Sequence, residues 1–311
     1  MDAGKDIKNK SLLWLLLLCG IAIAVIQGLR VNEFINVNGM SMLVIVGLIF
    51  TFNHGIRRYG FKDFFVFLVI TLIIAGFYEN LSIATTFPFG AYHYTDSLGP
   101  KIIYTPVIIN FAYFQMAYVA WNLAGLLINS FDNRLKGIYI FLQPLLGMFT
   151  MVMWDVVFDP YMSTILHHWE WEKGGSYFGV PFQNFMGWAL TVYTIFQLFA
   201  FYISKKSTIP TPGFVLKKEY WAQFVTMYLI WPLSFIIMGL CISPSEVTAL
   251  NGQIWNVKNI LETAGLVGLF TMSFVGLLSI LKVYVIDKNQ FFDRNMQEQV
   301  DHLDKKTMNV R

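Results

Sequence analysis

Apolar residues run along this chain in long blocks separated by short polar segments. The blocks fall near residues 11–29, 34–53, 64–86, 102–128, 138–159, 182–203, 221–242 and 260–286. A helix rising 1.5 Å per residue needs about 20 such residues to cross a hydrocarbon core about 30 Å thick. The pattern therefore predicts an all-α, polytopic integral membrane protein of about eight transmembrane helices. The second block is the weakest, because its clean apolar stretch begins only at Gly39. No soluble domain, low-complexity tract or clear repeat interrupts the series, so residues 1–311 read as one domain.

The basic residues test that number of spans. Lys5, Lys8 and Lys10 precede the first block; Arg57, Arg58 and Lys62 follow the second; Arg134 and Lys136 follow the fourth. Lys205, Lys206, Lys217 and Lys218 follow the sixth, and Lys288, Arg294, Lys305, Lys306 and Arg311 follow the eighth. The intervening loops hold one each: Arg30, Lys101, Lys173 and Lys258. This alternation across an even number of spans is what the positive-inside rule predicts, with both termini cytoplasmic. The apolar run after KDIKNK is longer than a signal-peptide core of about 7–15 residues, and no small-x-small cleavage site follows it. It is expected to be a retained first span.

Composition agrees. The chain is 56% hydrophobic and 13% charged, against about 25% charged for soluble domains. Mean hydropathy is +0.55. Aromatic residues reach 17%, a point that bears on the substrate below. Cys19 and Cys241 both sit in apolar runs and imply no disulfide framework; there is no Cys/His metal spacing, P-loop or GxGxxG fingerprint. No nucleic-acid partner is expected.

Against this background Glu79, Asp155 and Asp159 stand out, because they lie inside or at the ends of apolar blocks. A carboxyl at bilayer depth costs about 2.5–3.5 kcal/mol on insertion scales, which makes each a functional-site hypothesis. The third and fifth spans run outward, so all three acids belong to their outer ends. Asn110 in the outer part of the fourth span and Asn184 at the start of the sixth point to the same membrane face. Asp155 and Asp159, four apart, share one helix face. Pro160 is expected to end that helix at about Asp159. Burial and the helix C-terminus then both favour the neutral acid, a proton donor near neutral pH. A structural hydrogen-bonding cluster that locks helices together would use the same residues.

Two outer loops, TTFPFGAYHYTDSLGPK at 85–101 and YMSTILHHWEWEKGGSYFGVPFQNFMGW at 161–188, flank these acids. Their glycines and prolines indicate defined turns. Their aromatics suit an interfacial belt or, grouped around an acid, a groove whose π faces stabilise a carbocation. His93 lies in the first loop, where it could orient water or simply face solvent. His54, His167, His168 and His302 are expected in loops or the tail, which gives no bis-His haem geometry. Glu262 suits the positive end of the last helix as a capping group. Asp155-Val-Val-Phe-Asp159 superficially matches an Asp-rich prenyltransferase motif. That chemistry requires a basic shell for diphosphate, and the outer face has only scattered cations.

Glu79, FPFGAYHYTDSLGP at 87–100, Pro106, the Asp155–Pro160 segment, WEW at 169–171 and GGSYFGVPFQNFMGW at 174–188 together resemble the membrane carotenoid hydratase family. That family includes bisanhydrobacterioruberin hydratase and carotenoid 1′,2′-hydratases. The resemblance covers about residues 75–200; the first two spans and the region after 205 share only general hydropathy. It implies addition of water to the terminal double bond of an acyclic carotenoid, giving a tertiary alcohol, without a metal or redox cofactor, in the cell membrane. The implied roles are Asp155 or Asp159 as proton donor and the other carboxyl or Glu79 as base for water. Asn184, Tyr94, Tyr92, His93 and Asn110 would support, with Trp169, Trp171, Tyr177 and Phe178 lining the groove. The residues leave two alternatives open: a protonation-initiated terpenoid cyclase or isomerase, and a proton-coupled carrier with the acids as relay.

Overall fold

The structure is a computed structural model that describes residues 3–131, 135–206 and 213–286. It is an all-α bundle, with seven helices long and apolar enough to cross a membrane among the described residues. These are α1 (Ala3–Leu29), α2 (Glu33–Thr85), α3 (Val107–Leu127), α4 (Tyr139–Pro160), α5 (Phe182–Ser204), α6 (Lys218–Cys241) and a last span built from α7 (Val257–Phe270) and α8 (Met272–Leu281).

The helix α2 makes two crossings. A straight helix of 53 residues would be about 80 Å long, far beyond a bilayer. Gly60 interrupts it with φ 73° and ψ 164°, a conformation that strains any residue with a Cβ. The chain doubles back there: the rings of Phe52 and Phe64 lie 5.3 Å apart, whereas twelve residues of straight helix span about 18 Å. Gly55 permits the approach, since a Cβ there would fall 2.2 Å from the Phe64 ring. Eight crossings result, as the basic residues predicted.

Helical structure extends further than the apolar runs. His54, expected in a loop, lies buried within α2, its Nδ1 3.0 Å from the Tyr118 hydroxyl. Pro160 does not end its helix: α4 passes into a π-helical turn over Tyr161–Ile165. Proline lacks only its own N–H, and a wider turn accommodates its ring without breaking the chain direction. Asp155 and Asp159 are therefore further from the helix end than the proline implied, which weakens the dipole argument. The last span is capped by Asn256, whose side chain accepts from Asn259 N, while Glu262 pairs with Lys258 at 3.6 Å.

The helix α3 forms the centre, buried on every face from Ala112 to Leu126. It packs against α2, α4, α6 and α8, while α1 bridges α2 and α6. The outer helices expose apolar side chains such as Leu18, Ile73 and Phe270. Around a central helix that is itself buried, exposed leucines and phenylalanines are the lipid-facing surface of a membrane bundle.

Contacts collect the basic segments on one face. Lys10 binds Glu219 at the start of α6, Lys206 binds Asp63 just after the Gly60 turn, and Arg58 Nη2 donates to Phe131 O at 3.2 Å. Lys218 lies 5.4 Å from the Tyr284 ring at the end of the last span. Arg134 and the basic tail from Lys288 to Arg311, with His302, lie outside the described residues. Reporter fusions should place this face in the cytoplasm and a tag in the 161–181 loop across the membrane. A terminus mapping to the side of that loop would overturn the assignment.

On the opposite face the loops form short antiparallel ribbons. β1 (Tyr92–Tyr94) pairs with β4 (Trp169–Trp171), and β2 (Lys101–Ile102) with β3 (Thr105–Pro106). β5 (Glu246–Thr248) pairs with β6 (Ile254–Asn256), and Asn251 between them donates to Lys173 O at 3.3 Å.

Candidate active site

Glu79 is placed by the second arm of α2, whose buried face runs Thr71, Ala75, Glu79, Ser82 at helical spacing. Three phenols converge on its carboxyl. Tyr92 and Tyr94 donate to Oε2, the latter at 2.9 Å, and Tyr113 of α3 donates to Oε1 at 2.9 Å. Burial, with the Glu79 charge beside them, pushes the Tyr92 and Tyr94 phenols well above their ordinary range, so both remain O–H donors. A carboxylate accepts on both oxygens, so Glu79 can take all three bonds at once.

Asp155 and Asp159 project from one face of α4 and are bridged by Asn184 from the first turn of α5. The Asn184 amide nitrogen lies 3.2 Å from Asp155 Oδ2 and 2.6 Å from Asp159 Oδ2. Trp169 of β4 donates its indole N–H to Asp159 Oδ1 at 3.0 Å. Both oxygens of Asp159 are thus engaged, while Asp155 takes only the shared amide.

All three carboxyls line one open cleft on the outer half of the bundle. Among the described residues, no lysine, arginine or histidine contributes to its wall. The remaining lining is apolar and aromatic. Tyr113 lies flat on Trp188, rings 4.2 Å apart and 5° from parallel, and Trp154 meets Trp188 nearly edge-on at 5.8 Å. Met40, Ser41 and Val44 from the first arm of α2 face Ile108 and Ile109 at the start of α3 across its apolar side.

The β1–β4 ribbon covers the site. Period-two alternation sends Tyr92, Tyr94, Trp169 and Trp171 inward and His93 outward. His93 therefore sits on the roof, 3.5 Å from Glu170, which also meets His167 at 3.1 Å. The FPFG turn is tied to α2 through Ser82, whose Oγ accepts from Phe89 N at 3.0 Å and donates to Gly90 O at 3.2 Å.

The fold thus brings together Glu79, Tyr92, Tyr94, Asp155, Asp159, Trp169, Trp171 and Asn184 around the cleft. It does not bring four other expected residues to the wall. Besides His93, Asn110 is buried one step away, packed against Gly76. Tyr177 packs on Phe185 at 5.6 Å, and Phe178 on Trp255 at 5.6 Å, both behind the lining. The sequence reading missed Tyr113, Trp154 and Trp188. Helical spacing was the available signal: Trp188 is four residues from Asn184, and Trp154 precedes Asp155 on a face shared with Phe158.

No curated protein and no solved structure matches this chain. A sequence model of one family, described as carotenoid biosynthesis protein, matches residues 39–251, from the first arm of α2 to the outer loop before β6. That stretch contains every carboxyl, amide and aromatic residue of the cleft. The chain belongs to the carotenoid biosynthesis protein family.

Proposed function

We propose that the protein is a carotenoid hydratase, adding water to the terminal trisubstituted double bond of an acyclic carotenoid to give a tertiary alcohol. The observation that carries this reading is the convergence of three carboxyls on an aromatic, cation-free cleft in the outer half of a membrane bundle. Hydration of such an alkene needs a proton donor, an apolar groove, shielding of a tertiary cation and one held water.

Asp155 is the carboxyl less committed to protein donors, which favours it as the acid. It delivers a proton to the less substituted alkene carbon, and the positive charge develops on the tertiary carbon. Trp154, Trp188 and Tyr113 line the same cleft as Asp155 and offer π density to that charge; a desolvated cation–π contact contributes about 2 kcal/mol or more. Water adds to the cation, and its surplus proton returns to the carboxyl pair, restoring the starting state. Asn184 keeps the two aspartates in register, and Glu79 with its tyrosines anchors the opposite wall.

Substrate entry follows from where the chain exposes apolar groups. Ile102 and Ile103, at the turn of the β2–β3 hairpin, are 59% and 73% exposed, close in the chain to cleft-lining Leu98 and Ile108. A hydrophobic turn this exposed favours lateral delivery of a carotenoid end from the lipid rather than from water. The diphosphate chemistry of a prenyltransferase is disfavoured, because the cleft offers no cation to the leaving group.

Expression in a host that accumulates an acyclic carotenoid should yield pigments heavier by one water. In H₂¹⁸O the new alcohol should carry the heavy oxygen. A pigment of unchanged mass but altered retention would point instead to cyclisation or isomerisation, in which an alkene or proton loss quenches the cation. An unaltered pigment pool alongside well-expressed protein would count against all of these.

A further inference from the structure

The basic face holds a second, open pocket, far from the carboxyl cleft. Lys10, Arg57 and Lys217 line it, together with Tyr220, Gln223 and one acid, Glu219. Both oxygens of that acid are already taken: Lys10 binds Oε2, and the Trp14 indole donates to Oε1 at 3.2 Å. Gln223 is 3% exposed, and among the described residues its Nε2 has no hydrogen-bond partner, whereas Tyr220, 7% exposed, engages Tyr118 and Arg58 through its hydroxyl. Leaving a buried donor unpaired is costly, so the Gln223 amide calls for an acceptor in the space in front of it.

The surroundings select a negative acceptor. The pocket lies at the N-terminus of α6, where the 24-residue helix presents its positive end and Lys217 at the cap position makes no side-chain cap. Behind Tyr220 sits Arg58, 3% exposed, with its guanidinium 6.0 Å from the Tyr220 ring centre. Among the described residues no carboxylate pairs with Arg58. Lysine, arginine and this amide nitrogen are donors only.

We infer that this pocket binds a phosphate group, with Lys217 and Gln223 as its donors. Two sources share that chemistry: the headgroup of an anionic phospholipid in the adjoining leaflet, and free inorganic phosphate. A basic pocket between transmembrane helices at a membrane surface favours the lipid. The site is separate from the carboxyl cleft, so its test does not depend on the reaction proposed there.

The full chain, purified in a neutral detergent, would be titrated with short-chain phosphatidylglycerol, with diacylglycerol of the same chains, and with inorganic phosphate. Binding is read by native mass spectrometry and by the shift in Tm. Phosphatidylglycerol should bind and raise Tm, and diacylglycerol should not. Lys217→Ala should weaken binding about fivefold, the loss expected from removing one basic residue worth about 1 kcal/mol at a membrane surface. Gln223→Leu should weaken it as well, while Lys205→Ala, at an exposed lysine on the same face, should leave it unchanged. Inorganic phosphate binding with the same dependence on Lys217 would support the site and make the free ion its ligand. Equal affinity for diacylglycerol would overturn the proposal, and so would wild-type affinity in Lys217→Ala. Lys217 is exposed, so that variant carries the test even if Gln223→Leu fails to fold.

Discussion

Asparagine in place of Asp155 or Asp159 should lower pigment hydration by about 10²–10⁴-fold, the range lost with a general acid, while leaving the protein folded. The expectation of folding rests on the site's polar geometry. Asparagine fills nearly the same volume, and in Asp155→Asn its carbonyl oxygen can keep accepting from the Asn184 amide. Trp169 keeps an acceptor in Asp159→Asn, because the carbonyl oxygen of the new side chain can occupy the Oδ1 position. Asp155→Asn should show the larger loss, since Asp155 is the less engaged carboxyl. Hydrated and unhydrated pigments would be quantified by chromatography and mass at matched expression. A folded Asp155→Asn, Asp159→Asn double variant that still hydrates at the wild-type rate would falsify the role of the pair.

Glu79→Leu should destabilise the protein by several kcal/mol, because Tyr92, Tyr94 and Tyr113 all lose their acceptor. Each orphaned buried donor costs about 1–3 kcal/mol. Glu79→Gln retains one carbonyl oxygen and should lose much less. The contrast between these two variants separates a hub that holds the loop over the cleft from a carboxyl needed only for charge. Thermal unfolding in detergent reads the difference directly. If Glu79→Leu melts with the wild type, the hydroxyls have other partners and the covering ribbon is held by something else.

The number of crossings was legible in the chain because bilayers impose length and because lysine and arginine alternate in density between segments. Gly60 was not marked as a turn, and no single glycine could be; only the packing of Phe52 on Phe64 shows the reversal. The acids were legible for an energetic reason, since a carboxyl in an apolar block has few structural excuses. Their i, i+4 relation carried over into the fold, but the helix end did not. Pro160 reads as a stop, whereas the π-helical turn that absorbs it leaves no signal in local composition.

The aromatic loops were legible as segments flanking the acids, but not their pairing. Tyr92 and Trp171 are opposite one another in the ribbon although 79 positions separate them in the chain, and nothing local encodes such a register. Without the register, His93 and Tyr94 look equally available to the site. Tyr113 escaped for a different reason. It sits on a central helix buried all round, where no polar face distinguishes one aromatic residue from the next.

The β1–β4 ribbon writes two surfaces on alternate letters of the same few residues: Tyr92, Tyr94, Trp169 and Trp171 toward the cleft, His93 and Glu170 toward the aqueous side. Substitutions on one surface leave the other untouched, so the cleft-facing rings and the outward charges can drift independently over generations. Length has no such freedom. One residue inserted into either arm would turn the rings to water and the charges into the cleft. Variation in this cover should therefore be permissive in residue type and intolerant of insertion or deletion.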